Sequence, residues 1–257
     1  MASMVYGPVP SWRLGRSLGV DIINTSGKMC SFDCTYCQLG GSVSPVVRRR
    51  NFVDLAELSE ELESLGRVEA DYATFSGMGE PTLAANLGEA IGLVKSALKL
   101  PVAVLTNSSL ISRDDVREDL LLADLVVAKI DAPDEILFRQ VNRPRVRTTL
   151  RQIIDSIRLF RSTFQGKLAL QMMFIDANKS AAAGMAELAR EIMPDEIQVN
   201  TPLRPCAVEA LPEEELARIK GEFAGLSGVV SVYDSPRHAV TPLDAKETER
   251  RRPRTKQ

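Results

Sequence analysis

The strongest constraint on the fold is a repeated alternation between short β-branched runs and longer segments with helical periodicity. Six runs predict strands, at residues 18–23, 72–75, 102–105, 125–130, 168–174 and 197–200. Between them lie helical patterns, at residues 53–65, 87–98, 113–121, 133–141, 149–164 and 181–193. Parallel strands need helical crossovers that cover the sheet. The alternation therefore predicts an α/β fold, a partial (β/α)6 TIM-like barrel, in one series without a Gly/Ser/Pro-rich linker.

The 257 residues divide into four predicted segments. These are an irregular N-terminal segment (1–17), the partial barrel (18–205), a short C-terminal extension packing on the barrel (206–246) and a basic tail (247–257). The extension is expected to contain a helix at 212–223 and a strand near 229–232. The tail has no apolar side chain to bury, so we expect it to be disordered.

Charge and hydropathy exclude some functional classes. Lys and Arg number 32 against 34 Asp and Glu, which argues against a generally basic nucleic-acid binder but permits a local basic patch. No apolar stretch approaches the roughly 18 residues of a membrane span, and no secretory signal opens the sequence. We therefore expect a cytoplasmic protein without a membrane partner. The single histidine, His238, excludes multi-histidine metal sites and is expected at the surface.

Three of the four cysteines lie close together, as Cys30, Cys34 and Cys37 in a C-x3-C-x2-C arrangement. Without a secretory signal, such a group is more typical of metal binding than of disulfides. Thiolates at this spacing can hold three irons of a [4Fe–4S] cluster and leave the fourth open to a ligand. Two alternatives remain: a zinc site completed by Cys206 or His238, and simply packed thiols.

The cysteine motif, with Tyr36 before its last cysteine, resembles the signature of the radical S-adenosylmethionine (SAM) superfamily. Residues 75–82 (FSGMGEPT) look like the superfamily's Gly-Gly-Glu motif, with Met78 in the place of the first glycine. More narrowly, residues 6–21, 37–40 and 75–83 resemble a small subgroup related to the tRNA wyosine-synthesis enzyme. The resemblance covers about residues 5 to 205 and implies a partial barrel of the radical SAM type.

The resemblance implies that Cys30, Cys34 and Cys37 hold a [4Fe–4S] cluster and that SAM is reductively cleaved. The resulting 5′-deoxyadenosyl radical would abstract hydrogen from substrate, with electrons from a reductase or a ferredoxin- or flavodoxin-type donor. The main chain of Gly77, Met78 and Gly79 would hold the SAM amino group, and Glu80 offers an acceptor for that ammonium. Further cofactor contacts are expected from polar or aromatic residues near the strand ends, namely Tyr36, Thr106, Asn107, Lys129 and Asp131.

The arginines carry the substrate hypothesis. Arg139, Arg143, Arg145, Arg147 and Arg151 follow the strand predicted at 125–130. Arginine forks bind phosphate and carboxylate well, so an anionic substrate is expected at Arg143 and Arg204, although solvated helix faces are an equally simple explanation for most arginines. Cys206 is a candidate hydrogen donor, extra-cluster ligand or structural thiol.

Four functional classes stay open. The first is a radical SAM enzyme acting on a small, unidentified substrate. The others are an enzyme that modifies tRNA or another RNA, a glycyl-radical-type activase of a partner protein, and a non-catalytic iron–sulfur or zinc binding protein. The near-neutral charge and the absence of cysteines before Cys30 count against wyosine synthesis itself.

Overall fold

A computed structural model describes residues 3–41, 48–236 and 238–253. Within these ranges, eight strands form one sheet in chain order. They are β1 (Val5–Ser11), β2 (Gly15–Val20), β3 (Tyr72–Phe75), β4 (Val102–Thr106), β5 (Leu125–Lys129), β6 (Lys167–Met173), β7 (Glu196–Asn200) and β8 (Val229–Ser231). β1 pairs antiparallel with β2, and every later neighbour pair is parallel. The predicted mixed α/β partial barrel is confirmed.

Helices connect the parallel strands, as the periodicity predicts. They are α1 (Leu55–Ser64), α2 (Leu87–Leu98), α3 (Asp114–Leu120), α4 (Glu135–Val141), α5 (Leu150–Thr163), α6 (Ala182–Ile192), α7 (Glu213–Gly221) and α8 (Ala245–Arg251). The start of α5 is set locally, because Thr149 and Gln152 form a capping box. A cap of this kind stabilises a helix by about 0.5–2 kcal/mol. Among the described residues no helix is both long and apolar enough to cross a bilayer.

The sheet has two differently packed faces. Alternate strand residues such as Val104, Val126 and Leu170 face the helices in the main apolar core. The residues between them face the other way, where Ala103, Leu125, Val127 and Ala169 form a smaller apolar group with Leu14. We call this second side the inner face. It also carries buried polar side chains, namely Tyr6, Ser17, Thr74, Gln171 and Gln198.

The N-terminal segment differs from the prediction. Instead of an irregular stretch, it forms β1 and the start of β2, which begins at Gly15 rather than at residue 18. Prolines and glycines interrupt β1, so its sequence lacks the apolar alternation that reveals a strand. Its main chain satisfies its hydrogen bonds by pairing at the sheet edge, where prolines are tolerated.

The basic tail also differs from the prediction, as far as residue 253. Residues 245–251 form α8, and the Arg251 side chain is fully buried. Its Nε donates to the Asp21 carboxylate at 2.8 Å. The segment has no apolar residue to bury, but this buried ion pair orders it instead. The remainder of the predicted tail, 254–257, lies outside the described residues.

Candidate functional site

Two loops meet at the carboxyl ends of β2 and β3. One contains Cys30, Cys34 and Cys37 and is called the cysteine loop; the other, residues 76–80, is called the Gly77 loop. Met29 donates its N–H to the Met78 carbonyl at 2.9 Å, and Glu80 donates its N–H to the Met29 carbonyl at 3.1 Å. This short parallel pairing, Met29 opposite Gly79, fixes the Gly77 loop directly beside the first cysteine.

Both glycines of the Gly77 loop are required by close approach. A Cβ on Gly77, whose φ is +153°, would lie 2.2 Å from the carboxyl carbon of Asp21. A Cβ on Gly79 would lie 1.7 Å from the Met29 carbonyl oxygen. Met78 between them is different: its side chain is buried, and its main chain makes the contacts. A methionine is therefore compatible with the backbone path of this loop.

Asp21, which the sequence reasoning did not select, holds the base of the Gly77 loop. Its buried carboxylate accepts the N–H groups of Ile23, Asn24 and Met78 and the Nε of Arg251. The strand predicted at 18–23 placed Asp21 inside the strand. In the structure β2 ends at Val20, so Asp21 follows a strand end, where functional residues of such folds collect. The Arg251 partner, 230 residues away, had no local signal.

Glu80 is buried and lies at the centre of a hydrogen-bond network. Its Oε1 accepts from Thr82 N at 3.1 Å, Thr82 Oγ1 at 2.7 Å and Thr106 Oγ1 at 2.7 Å, and its Oε2 accepts from Asn107 N at 2.6 Å. Three of these donors share Oε1 and one binds Oε2, so four hydrogen bonds hold the carboxylate in place. Burial raises the pKa of Glu80, while these hydrogen bonds oppose the rise. The carboxylate expected to accept an ammonium is thus engaged within the chain.

The same network reaches a cysteine. Asn107 donates its Nδ2 to Cys30 Sγ at 3.4 Å and to Ser31 Oγ at 2.9 Å. Thr106 binds Glu80 rather than facing outward. The structure therefore brings Thr106, Asn107 and Glu80 together beside the cysteine loop. We call Glu80, Thr82, Thr106 and Asn107 the Glu80 network.

A second network surrounds Asp131 after β5. The Asp131 carboxylate accepts from the Tyr36 hydroxyl, from Asn142 Nδ2 at 2.6 Å and from Met173 N at 2.8 Å. Lys129 Nζ lies 3.5 Å from Asp131 Oδ1 and 4.8 Å from the Tyr36 ring centroid. The predicted residues Tyr36, Lys129 and Asp131 are therefore close together, but they bind one another. We call these three residues and Asn142 the Asp131 network.

Asn142, at the end of α4, was not selected from the sequence. Its Nδ2 lies 3.6 Å from Cys34 Sγ and 3.2 Å from the Tyr36 hydroxyl. Its carbonyl also accepts the N–H of Asp33 in the cysteine loop at 3.1 Å. A helix-ending asparagine is common, so its type and position gave no functional signal.

The three clustered cysteines are half-buried around a buried lysine. Lys28 Nζ donates to the Gly40 carbonyl at 3.1 Å and pairs with Asp33 at 3.4 Å. Burial works against the Lys28 charge, yet Cys37, Cys30 and Cys34 together hold its pKa above the ordinary value. Burial, followed by the nearby Glu80 carboxylate, raises the pKa of the Cys30 thiol to about 12. A cation thus lies among three thiols, and burial disfavours the charged forms of two of them, Cys30 and Cys34.

The zinc alternative finds no geometric support in the described ranges. There, no group of three His, Cys, Asp or Glu side chains is close enough to hold one metal ion. His238 is exposed, as expected. Cys206 is half-buried in an apolar group that also includes Cys34 and Tyr36, and its Sγ donates to the Val208 carbonyl at 3.2 Å. The fourth cysteine therefore lies on the same side of the barrel as the cysteine loop.

The two arginines predicted to bind substrate differ in setting. Arg143 is exposed, and its carbonyl accepts the Asp33 N–H at 3.2 Å. Arg204 is partly buried and donates its Nη1 to the Pro253 carbonyl at 2.9 Å. Three arginines near Arg143 in the sequence form ion pairs with nearby carboxylates, namely Arg139, Arg145 and Arg151. The Arg204 side chain therefore contacts the C-terminal segment, whereas Arg143 makes its contact with the cysteine loop through its main chain.

The chain is similar to proteins of one superfamily. A family model described as the radical SAM superfamily matches residues 24–189. A UPF0026 protein of Methanocaldococcus jannaschii is 38% identical over 210 residues, which is 79% of this chain and 64% of that relative. A UPF0026 protein of Synechocystis sp. is 41% identical over 204 residues, which is 78% of this chain and 76% of the relative.

Solved structures share the fold at low identity. Archaeal TYW1 has a TM-score of 0.55 at 14% identity, over 82% of this chain and 72% of that chain. Streptococcus suis SuiB, bound to S-adenosylmethionine, has a TM-score of 0.59 at 12% identity, over 83% of this chain and 46% of that chain. These structures show a shared fold only. The family model matches more than half of the chain, and two relatives are 38% and 41% identical to it, so the chain belongs to the radical SAM superfamily.

Proposed function

We propose that this protein is an enzyme that holds a [4Fe–4S] cluster through Cys30, Cys34 and Cys37 and uses it to cleave SAM reductively. The pairing of Met29 with Gly79 carries the proposal, because it sets the main chain of the Gly77 loop against the first of these cysteines. A superfamily neighbour is described as bound to S-adenosylmethionine, which supports the same co-substrate here.

The residues present fit such a cluster. Amide N–H groups of Asn107 and Asn142 point at two of the sulfurs, and the Lys28 ammonium lies near all three. Hydrogen bonds and positive charge both stabilise thiolates and tune an iron–sulfur centre.

When bound, the cluster and SAM supply a one-electron reductive cleavage that yields methionine and a 5′-deoxyadenosyl radical. The chain's own part is to position and protect. The main chain of residues 77–79 holds the SAM amino group, and Asn107 and Asn142 orient the sulfurs. Glu80 and Asp131 act as positioning residues, because their carboxylates are engaged with donors from the chain. A reductase, or a ferredoxin- or flavodoxin-type protein, is the proposed electron donor.

Anaerobic reconstitution tests this function. Reconstituted protein should bind about four irons and, with dithionite and SAM, form 5′-deoxyadenosine detectable by mass spectrometry. Cys34→Ala should lose both the iron and the product. Cys206→Ala is the matched control and should keep the iron count, since the cluster needs only the three clustered cysteines. A fully reconstituted, reduced protein that forms no 5′-deoxyadenosine would contradict the proposal.

A further inference from the structure

Three arginines differ from every other arginine in the part of the chain that the structure describes. Arg13, Arg204 and Arg252 are partly buried and form no ion pair with a described carboxylate. The others are ion-paired (Arg16, Arg49, Arg113, Arg117, Arg139, Arg145, Arg151, Arg161, Arg218, Arg250 and Arg251) or exposed (Arg48, Arg50, Arg67, Arg143, Arg147, Arg158 and Arg190). Buried arginines normally have an anionic partner.

The three come together from distant parts of the sequence. Arg13 lies in the turn between β1 and β2, Arg204 follows β7, and Arg252 follows α8. Arg204 Nη1 donates to the carbonyl of Pro253, which places it beside Arg252. Arg13 Nε and Nη1 and Arg252 Nε are buried and have no hydrogen-bond partner. Buried donors without a partner are rare in native proteins, and each calls for an explanation such as a bound ion.

Their charges also act on one another. Burial, together with the charge of Arg252, lowers the pKa of Arg13 to about 9. Burial lowers the pKa of Arg204 to about 9 as well, followed by the charges of Arg252 and Arg13. Glu196 partly offsets this at Arg13, but its carboxylate is already bound by Lys167 at 2.5 Å and Gln198 at 2.7 Å. Three cations therefore lie close enough to influence one another, and no carboxylate of the described residues forms an ion pair with any of them.

Arg13 lies near the inner face of the sheet, because the charge of Glu196 acts on it. Glu196 shares the face of Gln198, because the two are separated by one residue along β7. Tyr6, on the inner face of β1, has its ring centroid 5.1 Å from the guanidinium of Arg251, the residue before Arg252. Partly buried arginines suit a small ligand, whereas a nucleic-acid backbone binds to exposed basic surface.

We propose that Arg13, Arg204 and Arg252 form a binding site for an oxyanion, a phosphate or carboxylate group of a small-molecule substrate. The identification of the ligand as substrate rests on the proposed function; the oxyanion site itself does not. Arginine forks offer several N–H donors in the geometry that both groups accept, and an oxyanion would satisfy the orphaned N–H donors and balance the charge. All three arginines lie outside residues 24–189, the region matched by the family model, and in this proposal they select the substrate class.

Calorimetric titration of the reconstituted full-length protein tests the site. Inorganic phosphate and succinate are titrated in separate arms at constant ionic strength, so that the tighter probe identifies the oxyanion. Saturable binding of at least one probe is expected. Arg13→Gln and Arg204→Gln should each raise the Kd at least about tenfold, because each removes a charged hydrogen-bond donor. The exposed Arg147→Gln is the matched control and should leave the Kd unchanged.

Thermal unfolding in a chloride buffer without phosphate or succinate distinguishes oxyanion binding by Arg13 from a purely structural role of this residue. Arg13→Gln should unfold at the wild-type temperature or above it, because the removed charge repels two neighbours. A marked drop in that temperature, equal Kd values in variant and wild type, or no saturable binding of either probe would overturn the proposal. Wild-type protein that binds a probe but makes no 5′-deoxyadenosine would contradict the enzyme function and leave the oxyanion site standing.

Discussion

Glu80 and Asp131 are buried carboxylates on opposite sides of the cysteine loop, and each network ends in an amide at a cysteine sulfur. Asn107 lies 3.4 Å from Cys30 Sγ, and Asn142 lies 3.6 Å from Cys34 Sγ. The donors to Glu80 are hydroxyls and main-chain N–H groups, all neutral. Asp131 also has a cation, Lys129, and a phenol, Tyr36. One network is thus built on neutral donors, and the other includes an ion pair.

Among the changes that test this difference, replacing Glu80 should lower the free energy of unfolding the most. Glu80→Ala leaves donors of Thr82, Thr106 and Asn107 without their acceptor inside the protein, and should lower the free energy of unfolding by about 3–5 kcal/mol. Urea denaturation measures this. Glu118→Ala, on the exposed face of α3, is the control and should change it by less than about 0.5 kcal/mol. A loss below about 1 kcal/mol for Glu80→Ala would show that the donors find other partners.

Main-chain pairing joins both networks to the cysteine loop, but in different ways. Next to Asn142 the pairing is an antiparallel bridge between Phe32 and Pro144, whereas beside Glu80 it is the parallel pairing of Met29 with Gly79. Gly79→Ala should break it, because the new Cβ would overlap the Met29 carbonyl, and should cost about 1–3 kcal/mol. Gly92→Ala, on the exposed side of α2 with open space at its Cβ, should instead stabilise by about 0.5–1 kcal/mol. The two thermal shifts should have opposite signs; equal signs would refute the close-approach explanation.

The cation that distinguishes the Asp131 network can be removed alone. Lys129→Gln should lower the free energy of unfolding by about 1–2 kcal/mol, because a charged partner of a buried carboxylate is lost. Lys95→Gln breaks a more exposed pair with Asp124 and should cost less than about 1 kcal/mol. Chemical denaturation of both variants at neutral pH provides the measurement. Equal losses would mean that Lys129 does not set the two networks apart.

The side-chain amides of Asn107 and Asn142 give the smallest expected effect, a shift in the reduction potential of the proposed cluster. Asn107→Leu and Asn142→Leu each remove an N–H donor to sulfur, and should lower the reduction potential by about 20–60 mV. The shift should be larger for Asn107, which lies closer to its sulfur. Thr106→Val removes a donor to Glu80 rather than to a sulfur and is the control. Redox titration that finds unchanged potentials in both asparagine variants would exclude this tuning role.

Local pattern was enough to predict the central part of the fold. β3 to β7 are short apolar runs bounded by polar residues, and their helices show clear periodicity, so each has its own signal in the sequence. β1 was missed because prolines and glycines hide it, and α8 because an ion pair rather than apolar packing holds it. Both depend on contacts made across the fold.

At the site, residue types were predictable but their partners were not. The resemblance to the Gly-Gly-Glu motif indicated Glu80, and the strand-end rule indicated Thr106, Asn107, Lys129 and Asp131. The structure does bring these five residues beside the cysteine loop. It gave no means of seeing that the two carboxylates bind internal donors. Asn142 and Cys34 are 108 residues apart, so only the folded chain reveals their contact.

The buried Asp21–Arg251 pair has a consequence for biosynthesis. Arg251 leaves the ribosome 230 residues after Asp21, and it also binds the Ser3 carbonyl. Thr248 accepts the Gly7 N–H at 3.0 Å, so the first strand also depends on this late helix. The part of the sheet that is translated first is therefore secured last. Until translation reaches α8, the nascent chain has its central strands but lacks the contacts that α8 makes with β1 and Asp21. A chaperone would be most useful during this period.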